Sequence, residues 1–144
     1  MPYMWRTMMT EVKKAFDQEL FEENDPKARK AVMGMLAGVG IETYENPNKY
    51  GVDLVVGRYE IERRECWTGD KFPFQTVHIP RRKRKFFNTP IIYCIVNKEY
   101  THMMYIDSGK IMMCPVREVK NKYVAEGEFF YDVDLELFST RRLP

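Results

Sequence analysis

Apolar residues recur with helical spacing in the first forty residues of the chain. A stripe over residues 5–20 repeats at steps of three and four, which is typical of an amphipathic helix. A second helix is predicted to begin at residues 25–26, because aspartate caps helices and proline suits the first helical position. Gly38 or Gly40 is expected to end it. The pattern therefore predicts two helices ahead of any sheet.

After residue 40, short apolar runs separated by turn-forming residues predict β-strands. The run 91–96 is apolar almost throughout and lies between a proline and an asparagine, which is typical of a central strand covered on both faces. The other strands are predicted, in chain order, over residues 41–45, 52–56, 59–66, 100–106, 110–114 and 128–138.

Two short helices are predicted between these strands, over residues 80–87 and 116–122. Residues 67–80 contain two prolines and are predicted to form a loop with at most a short extended piece. This order of elements predicts an α+β (mixed α/β) fold, with a central mixed β-sheet flanked by helices. The length of 144 residues suits a single domain, here with an N-terminal helical segment, 1–24, and a core, 25–144.

Composition and charge narrow the class of protein. The chain is 44% hydrophobic and 31% charged, and no run approaches the ~18 apolar residues of a membrane-spanning helix, so we expect an intracellular, cytoplasmic protein with no membrane partner. The net charge is only +2, but nine Lys or Arg stand against four Asp or Glu between Arg58 and Lys85. This segregation indicates a basic face that suits a polyanionic partner, or simply a solvated surface.

The segment 51–66 places several acids on a predicted hairpin. A two-residue turn at 57–58 would pair Asp53 with Glu62 across the two strands. Since side chains alternate between faces, Asp53, Glu60, Glu62 and Arg64 would then share one face. The Cβ atoms of the facing acids would lie ~5 Å apart, which is destabilising unless a positive charge lies between them.

Two sources of positive charge can neutralise these acids. A divalent cation such as Mg²⁺ or Mn²⁺ binds carboxylate oxygens, with Asp53 and Glu62 as its ligands and a backbone carbonyl near Arg63 as a third. Alternatively, Arg64 completes a surface network of ion pairs with the two acids, and no metal is required. The spacing alone leaves both alternatives open.

An aspartate at the start of one strand, followed by Glu-x-basic on the next, resembles the PD-(D/E)XK nuclease superfamily, which has the restriction-endonuclease-like fold. Asp53 matches the first acid, Glu62 the second, and Arg64 the position that usually holds lysine. The resemblance covers roughly residues 26–106, and the segment 72–87 is also similar to small phage proteins of this superfamily.

The resemblance implies a metal-dependent nuclease that hydrolyses phosphodiester bonds of nucleic acid, with Mg²⁺ or Mn²⁺ as cofactor. DNA is the expected substrate rather than RNA. The resemblance also implies a homodimer and products with a 5′-phosphate. The chain departs from the motif because no lysine follows Glu62 two residues later, and Arg64 cannot act as a general base. Lys83, or as second choice Arg82, is therefore predicted to replace it from the following helix. The alternative frame Glu60-x-Glu62 puts an acid at the basic position and is less consistent with the motif.

A run of five basic residues follows the hairpin, and its members cannot all face one way on a short helix. We expect the following to bind nucleic-acid phosphates: Arg81, Arg82, Arg84 and Lys85. The nearby Trp67, Phe72 and Phe74 either stack on unpaired bases or anchor the loop in the core. Two alternative functions remain at this stage: a catalytically inactive nucleic-acid-binding module of the same fold, and a structural or protein-interaction domain.

Overall fold

The computed structural model describes residues 25–121 and 124–144, without the side chains of residues 121–126. The helix predicted over residues 5–20 lies outside these residues. The first described element, α1 (Pro26–Gly38), confirms the second predicted helix. Its cap is the Asp25 carboxylate, which accepts hydrogen bonds from the backbone N–H groups of Lys27 (2.9 Å) and Ala28 (3.3 Å).

The strands form two sheets. In chain order the strands are β1 (Tyr44–Glu45), β2 (Leu54–Val55), β3 (Tyr59–Arg63), β4 (Thr76–Pro80), β5 (Ile92–Val96), β6 (His102–Asp107), β7 (Val116–Asn121), β8 (Val124–Asp134) and β9 (Ser139–Arg142). The larger sheet has the order β1-β2-β3-β5-β6-β9, and the smaller one β4-β8-β7. The remaining helices are α2 (Ser108–Met112) and two 3-10 helices (Arg81–Phe86 and Leu135–Leu137).

The larger sheet is mixed. Strand β3 runs parallel to β5, whereas every other neighbouring pair in this sheet is antiparallel. The chain reaches β5 from β3 by way of β4 and the 3-10 helix Arg81–Phe86, as a parallel pair requires a long connection. The predicted mixed α/β class with a mixed sheet is thus confirmed, and β5 lies centrally between β3 and β6 as expected.

Two apolar layers cover the larger sheet. On one face, α1 packs against side chains that include Leu54, Ile61 and Cys94. The other face packs against the smaller sheet through Tyr93 and Ile95, among others. Neighbouring residues of a strand point to opposite faces of a sheet. Since Ile61 points toward α1, Glu60 and Glu62 on either side of it point toward the smaller sheet. Both acids are consequently buried, at 4% and 6% exposure.

Two of the predicted elements are wrong. Residues 110–114 do not form a strand, because Asp107 accepts a hydrogen bond from the Gly109 backbone N–H (2.8 Å) and caps α2 instead. Residues 116–122, predicted as a helix, contain β7, which pairs along β8. In the described part of the chain, no helix combines the length and the apolar composition that crossing a membrane requires.

Candidate functional site

The hairpin between β2 and β3 has a wider turn than the sequence predicts. Leu54 pairs with Tyr59, whereas a two-residue turn would have paired Leu54 with Ile61. Two consecutive residues of the turn, Val56 (φ 65°) and Gly57 (φ 81°), adopt left-handed backbone conformations. A β-branched residue rarely adopts this conformation, so no residue pattern indicated the wider turn.

This register changes which acids meet. The predicted pairing of Asp53 with Glu62 is wrong, and the shift of two residues brings Asp53 beside Glu60. Because the shift is an even number of residues, the face on which the acids lie stays the same. A hydrogen bond of 2.7 Å from the backbone N–H of Ile61 to Asp53 Oδ2 fixes the aspartate in this position.

Lys83 reaches Glu60 from the 3-10 helix Arg81–Phe86. Its Nζ lies 2.6 Å from Glu60 Oε2, and the two side chains are 3% and 6% exposed. Lys83 is the one member of the basic run 81–85 that is buried; the other four are exposed. A buried ion pair carries a large desolvation penalty and is therefore weak evidence for a purely stabilising role.

Asp53 has a strongly perturbed acidity. Burial raises its pKa to about 8, and repulsion from Glu60 adds to the rise, while the Ile61 N–H and the charge of Lys83 oppose it. Near neutral pH, Asp53 therefore holds a proton for much of the time. The carboxyl groups of Asp53 and Glu60 could release that proton and bind a cation in its place. Acidic residues with a strongly shifted pKa beside a cavity are typical of functional sites.

Glu62 and Arg64 belong to a separate network. Glu62 Oε1 pairs with Arg64 Nε, and Glu62 Oε2 accepts a hydrogen bond of 2.7 Å from the Tyr93 hydroxyl. Arg64 also donates to the backbone carbonyl of His78 (2.8 Å). Burial and the charge of Glu62 raise the pKa of Tyr93 well above its usual value, so the phenol remains a donor. Both oxygens of Glu62 are thus engaged, and the ion pair predicted for Arg64 forms with Glu62.

A cavity of about 200 Å³ adjoins Asp53. Its wall includes two basic residues, Arg29 from α1 and Lys49 from the loop before β2, together with Glu45, which lies 3.2 Å from Arg29. The loop requires glycine at position 51, because a Cβ atom there would lie only 2.5 Å from the Asn46 side chain. The cavity therefore presents Lys49 and the Arg29–Glu45 ion pair next to a perturbed carboxyl group.

Comparison with protein-family models, curated proteins and solved structures finds no match. Sequence reasoning missed the contribution of Glu60, although the frame Glu60-x-Glu62 contained it. It also missed Arg29 and Lys49, for which no local pattern gave a signal. Their proximity to Asp53 arises from the packing of α1 and of the loop over the hairpin.

The carboxylates near the cavity could supply two ligands to Mg²⁺ or Mn²⁺, but not a complete coordination shell. Across residues 25–121 and 124–144, no cluster of three or more His, Cys, Asp or Glu side chains could hold a metal ion. Mg²⁺, however, is usually bound by only one or two carboxylates, with water and substrate phosphate completing its octahedron. The adjoining Asp53 and Glu60 meet that requirement, whereas Glu62, named as a ligand from the sequence, has both oxygens engaged.

The four exposed members of the basic run have different surroundings. Arg82 pairs with Glu128 (3.3 Å), and Arg81 lies over the ring of Phe129, 4.5 Å from its centroid. Lys85 lies 5.0 Å from the ring centroid of Phe86, and Arg84 is exposed. Of the three aromatic residues that precede the basic run in the sequence, Trp67 and Phe72 are buried in the core and Phe74 is 57% exposed.

The raised pKa of Asp53 predicts that Asp53→Asn stabilises the metal-free protein increasingly as pH rises. A carboxyl group whose pKa is higher in the fold contributes stability below its unfolded pKa, near 4, and loses it as pH rises through about 8. One pKa unit corresponds to about 1.4 kcal/mol, so a rise of the pKa from near 4 to about 8 sets an upper limit of roughly 5–6 kcal/mol. Because Asp53 is only half-buried and solvent screens its charge, we expect the variant to gain roughly 2–4 kcal/mol over wild type by pH 8. Urea unfolding at several pH values measures the gain. The exposed Asp70→Asn is the matched control, and an equal pH trend in both variants would contradict the prediction.

Proposed function

We propose that the protein is a metal-dependent nuclease that hydrolyses phosphodiester bonds of nucleic acid, with DNA as the expected substrate. The observation that carries the proposal is the buried ion pair of Lys83 with Glu60, next to Asp53 and beside a cavity that Arg29, Lys49 and Glu45 line. Two acids and a lysine are the residue types of the PD-(D/E)XK motif. The proposal therefore includes the restriction-endonuclease-like fold and an assignment of each motif position.

The motif is assigned with one change from the sequence-based frame. Asp53 remains the first acid, but Glu60 replaces Glu62 as the second. Glu62 then occupies the position that usually holds lysine, and Lys83 supplies the missing cation from the 3-10 helix. The supporting observations are the register of the hairpin and the 2.6 Å contact between Lys83 and Glu60.

Asp53 and Glu60 would hold Mg²⁺ or Mn²⁺. When bound there, such an ion would supply Lewis-acid chemistry, by polarising a phosphate oxygen and lowering the pKa of a water molecule. Asp53 must release its proton to bind the ion, so we expect metal affinity to rise with pH up to about 8. Lys83, which as an ammonium group has no lone pair to act as a base, would stabilise the negative charge that builds up on the phosphate.

The substrate backbone is expected to contact two basic regions. Arg29 and Lys49 would bind the phosphate nearest to Asp53 in the cavity. The exposed residues of the 3-10 helix, Arg81, Arg84 and Lys85, would bind phosphates further along the strand, with Arg82 shared between Glu128 and the substrate. Arg64 is assigned a positioning role, since it orients Glu62 and fixes the end of β3 to β4.

A cleavage assay on labelled DNA and RNA with Mg²⁺, Mn²⁺ or EDTA tests the proposal. We expect cutting in either metal and none in EDTA, with DNA cut faster than RNA. Binding that weakens with salt in the absence of cutting would instead support the inactive nucleic-acid-binding module. Absence of both binding and cutting at moderate salt would support the structural or protein-interaction domain. Measuring the molecular mass in the same buffer tests the homodimer that the resemblance implies.

A further inference from the structure

The face of the larger sheet that packs against α1 is only partly covered. The sheet has six strands, and since strands lie about 4.8 Å apart, it is roughly 24 Å wide. An α-helix with its side chains is only about 10–12 Å in diameter. In the part of the chain that the structure describes, α1 is the only helix that contributes residues to this apolar layer. One helix therefore leaves a large part of the face without a cover.

A groove of about 220 Å³ lies beside α1 on this face. Residues from the second half of α1 and from β3, β5 and β6 line it, and among the described lining residues only Arg141 carries a charge. Tyr59, Ile92 and Tyr105 in its wall are half-buried, and Val39 is 47% exposed. The volume is below the range of about 300–1,000 Å³ that is usual for small-molecule sites. Apolar side chains of a protein segment therefore match this groove better than a small molecule does.

The segment ahead of α1, which lies outside the described residues, has the matching sequence pattern. Its predicted helix over residues 5–20 carries an apolar stripe made of Trp5, Met9, Val12, Phe16 and Leu20. A helix of this length extends about 24 Å at 1.5 Å per residue, against about 20 Å for α1. Residues 21–24 would connect the two, and connections of about 2–8 residues usually join antiparallel neighbouring helices. Length and position in the chain thus favour a helix that runs antiparallel to α1.

The distribution of charge favours the same arrangement. Residues 17–23 contain four acids and no base, whereas α1 contains three basic residues and no acid. In an antiparallel pair the end of the first helix lies next to the start of the second, so these acids would lie close to the exposed Lys27 and Lys30. The other end of the first helix, with Trp5 and Met9, would then lie beside the second half of α1, where the groove is.

We propose that this groove is the docking surface for residues 5–20 of the same chain. Trp5, Met9 and Val12 occupy the groove, and Phe16 and Leu20 continue the contact along the first half of α1. The inference does not depend on the proposed nuclease, since none of the described residues that line the groove also lines the cavity beside Asp53. A second copy of the chain is the alternative occupant that an experiment must separate from this one.

Photo-cross-linking in the full-length chain tests the location. A p-benzoyl-phenylalanine in place of Val39 or of Ile41, both of which line the groove, is irradiated, and the attached peptides are identified by mass spectrometry. We expect attachment to residues 5–16 of the same chain. The same probe in place of Val116, which is 42% exposed on β7, should not attach to these residues.

An equal mixture of ¹⁵N-labelled and unlabelled protein shows whether each cross-link lies within one chain. Links between labelled and unlabelled chains would assign the groove to a second copy and overturn the proposal. Absence of attachment to residues 5–16 from both groove positions, or equal attachment from Val116, would overturn it as well.

A charge-matched pair of variants tests whether the apolar stripe makes the contact. Val12→Asp and Gln18→Asp each add one negative charge, but Gln18 lies on the side of the predicted helix opposite the stripe. A charge buried in an apolar groove without a partner is costly, so we expect Val12→Asp to lower the yield of the cross-link about tenfold. Gln18→Asp should leave the yield unchanged, and equal losses in both would contradict the contact. Where circular dichroism shows that Val12→Asp does not fold, the cross-links of the unsubstituted stripe decide the proposal.

Discussion

Replacing Asp53 by asparagine is expected to lower metal-supported DNA cleavage by about a thousandfold or more. The amide keeps the acceptor for the Ile61 N–H but loses the negative charge that would hold the cation. A metal ion stabilises the transition state by several kcal/mol, and each 1.4 kcal/mol corresponds to about tenfold in rate. Single-turnover cleavage of a labelled duplex in Mg²⁺ and in Mn²⁺ measures the loss.

Two glutamine variants make this test specific to the register of the hairpin. Glu60→Gln should lose activity to an extent comparable to Asp53→Asn, because Glu60 is the acid beside Asp53. Glu62→Gln should retain more activity, since Glu62 bonds to Tyr93 and Arg64 and acts on the site through them. Equal activity in Glu60→Gln and wild type, with a complete loss in Glu62→Gln, would restore the frame in which Glu62 is the ligand. A thermal melt of each variant checks that the loss is not due to unfolding.

The sequence predicted those parts of the fold in which one local preference dominates. Asp25 and Pro26 specify the start of α1 chemically, and the apolar run that became β5 can be buried only at the centre of a sheet. Strand β9 was not predicted because its residues, Ser139–Arg142, are all exposed and carry no apolar alternation. Such an edge strand forms through backbone pairing with β6, which composition does not reveal.

The candidate site depended on a contact that a local pattern could not determine. Alternation in β3 correctly placed Glu60 and Glu62 on one face, but the partner of Asp53 depended on the turn. The sequence favoured the shorter turn because valine avoids positive φ, and Val56 nevertheless adopts it. Strain in such a residue is tolerated where the surrounding structure fixes it, here with Asp53 bonded to the Ile61 N–H.

The choice of Lys83 as the replacement for the motif lysine was the most informative prediction about the basic run. The run of five basic residues indicated only that their side chains must point in different directions. Because the motif lysine is missing two residues after Glu62, Lys83 was chosen among them as its replacement. The structure buries Lys83 against Glu60, so the run is divided between an internal ion pair and an exposed surface. Fold and proposed function therefore both depend on the same lysine.

Replacing Lys83 by methionine is expected to destabilise the protein by about 3–5 kcal/mol near pH 8, because Glu60 would be left buried without its counter-charge. Methionine keeps most of the length and apolar volume of the lysine side chain, so the loss reports on charge rather than on packing. Urea unfolding near pH 8 measures the loss.

A double-mutant cycle identifies the partner of Lys83. The variant with both Glu60→Gln and Lys83→Met removes both charges, and we expect it to recover most of the stability that Lys83→Met loses. Lys85→Met, at an exposed position on the same 3-10 helix, should change the free energy of unfolding by less than about 0.5 kcal/mol. The double variant should still be inactive on DNA, because stability returns without the acid and the cation that the proposed reaction requires. Recovery of cleavage together with stability would exclude both residues from the catalytic centre.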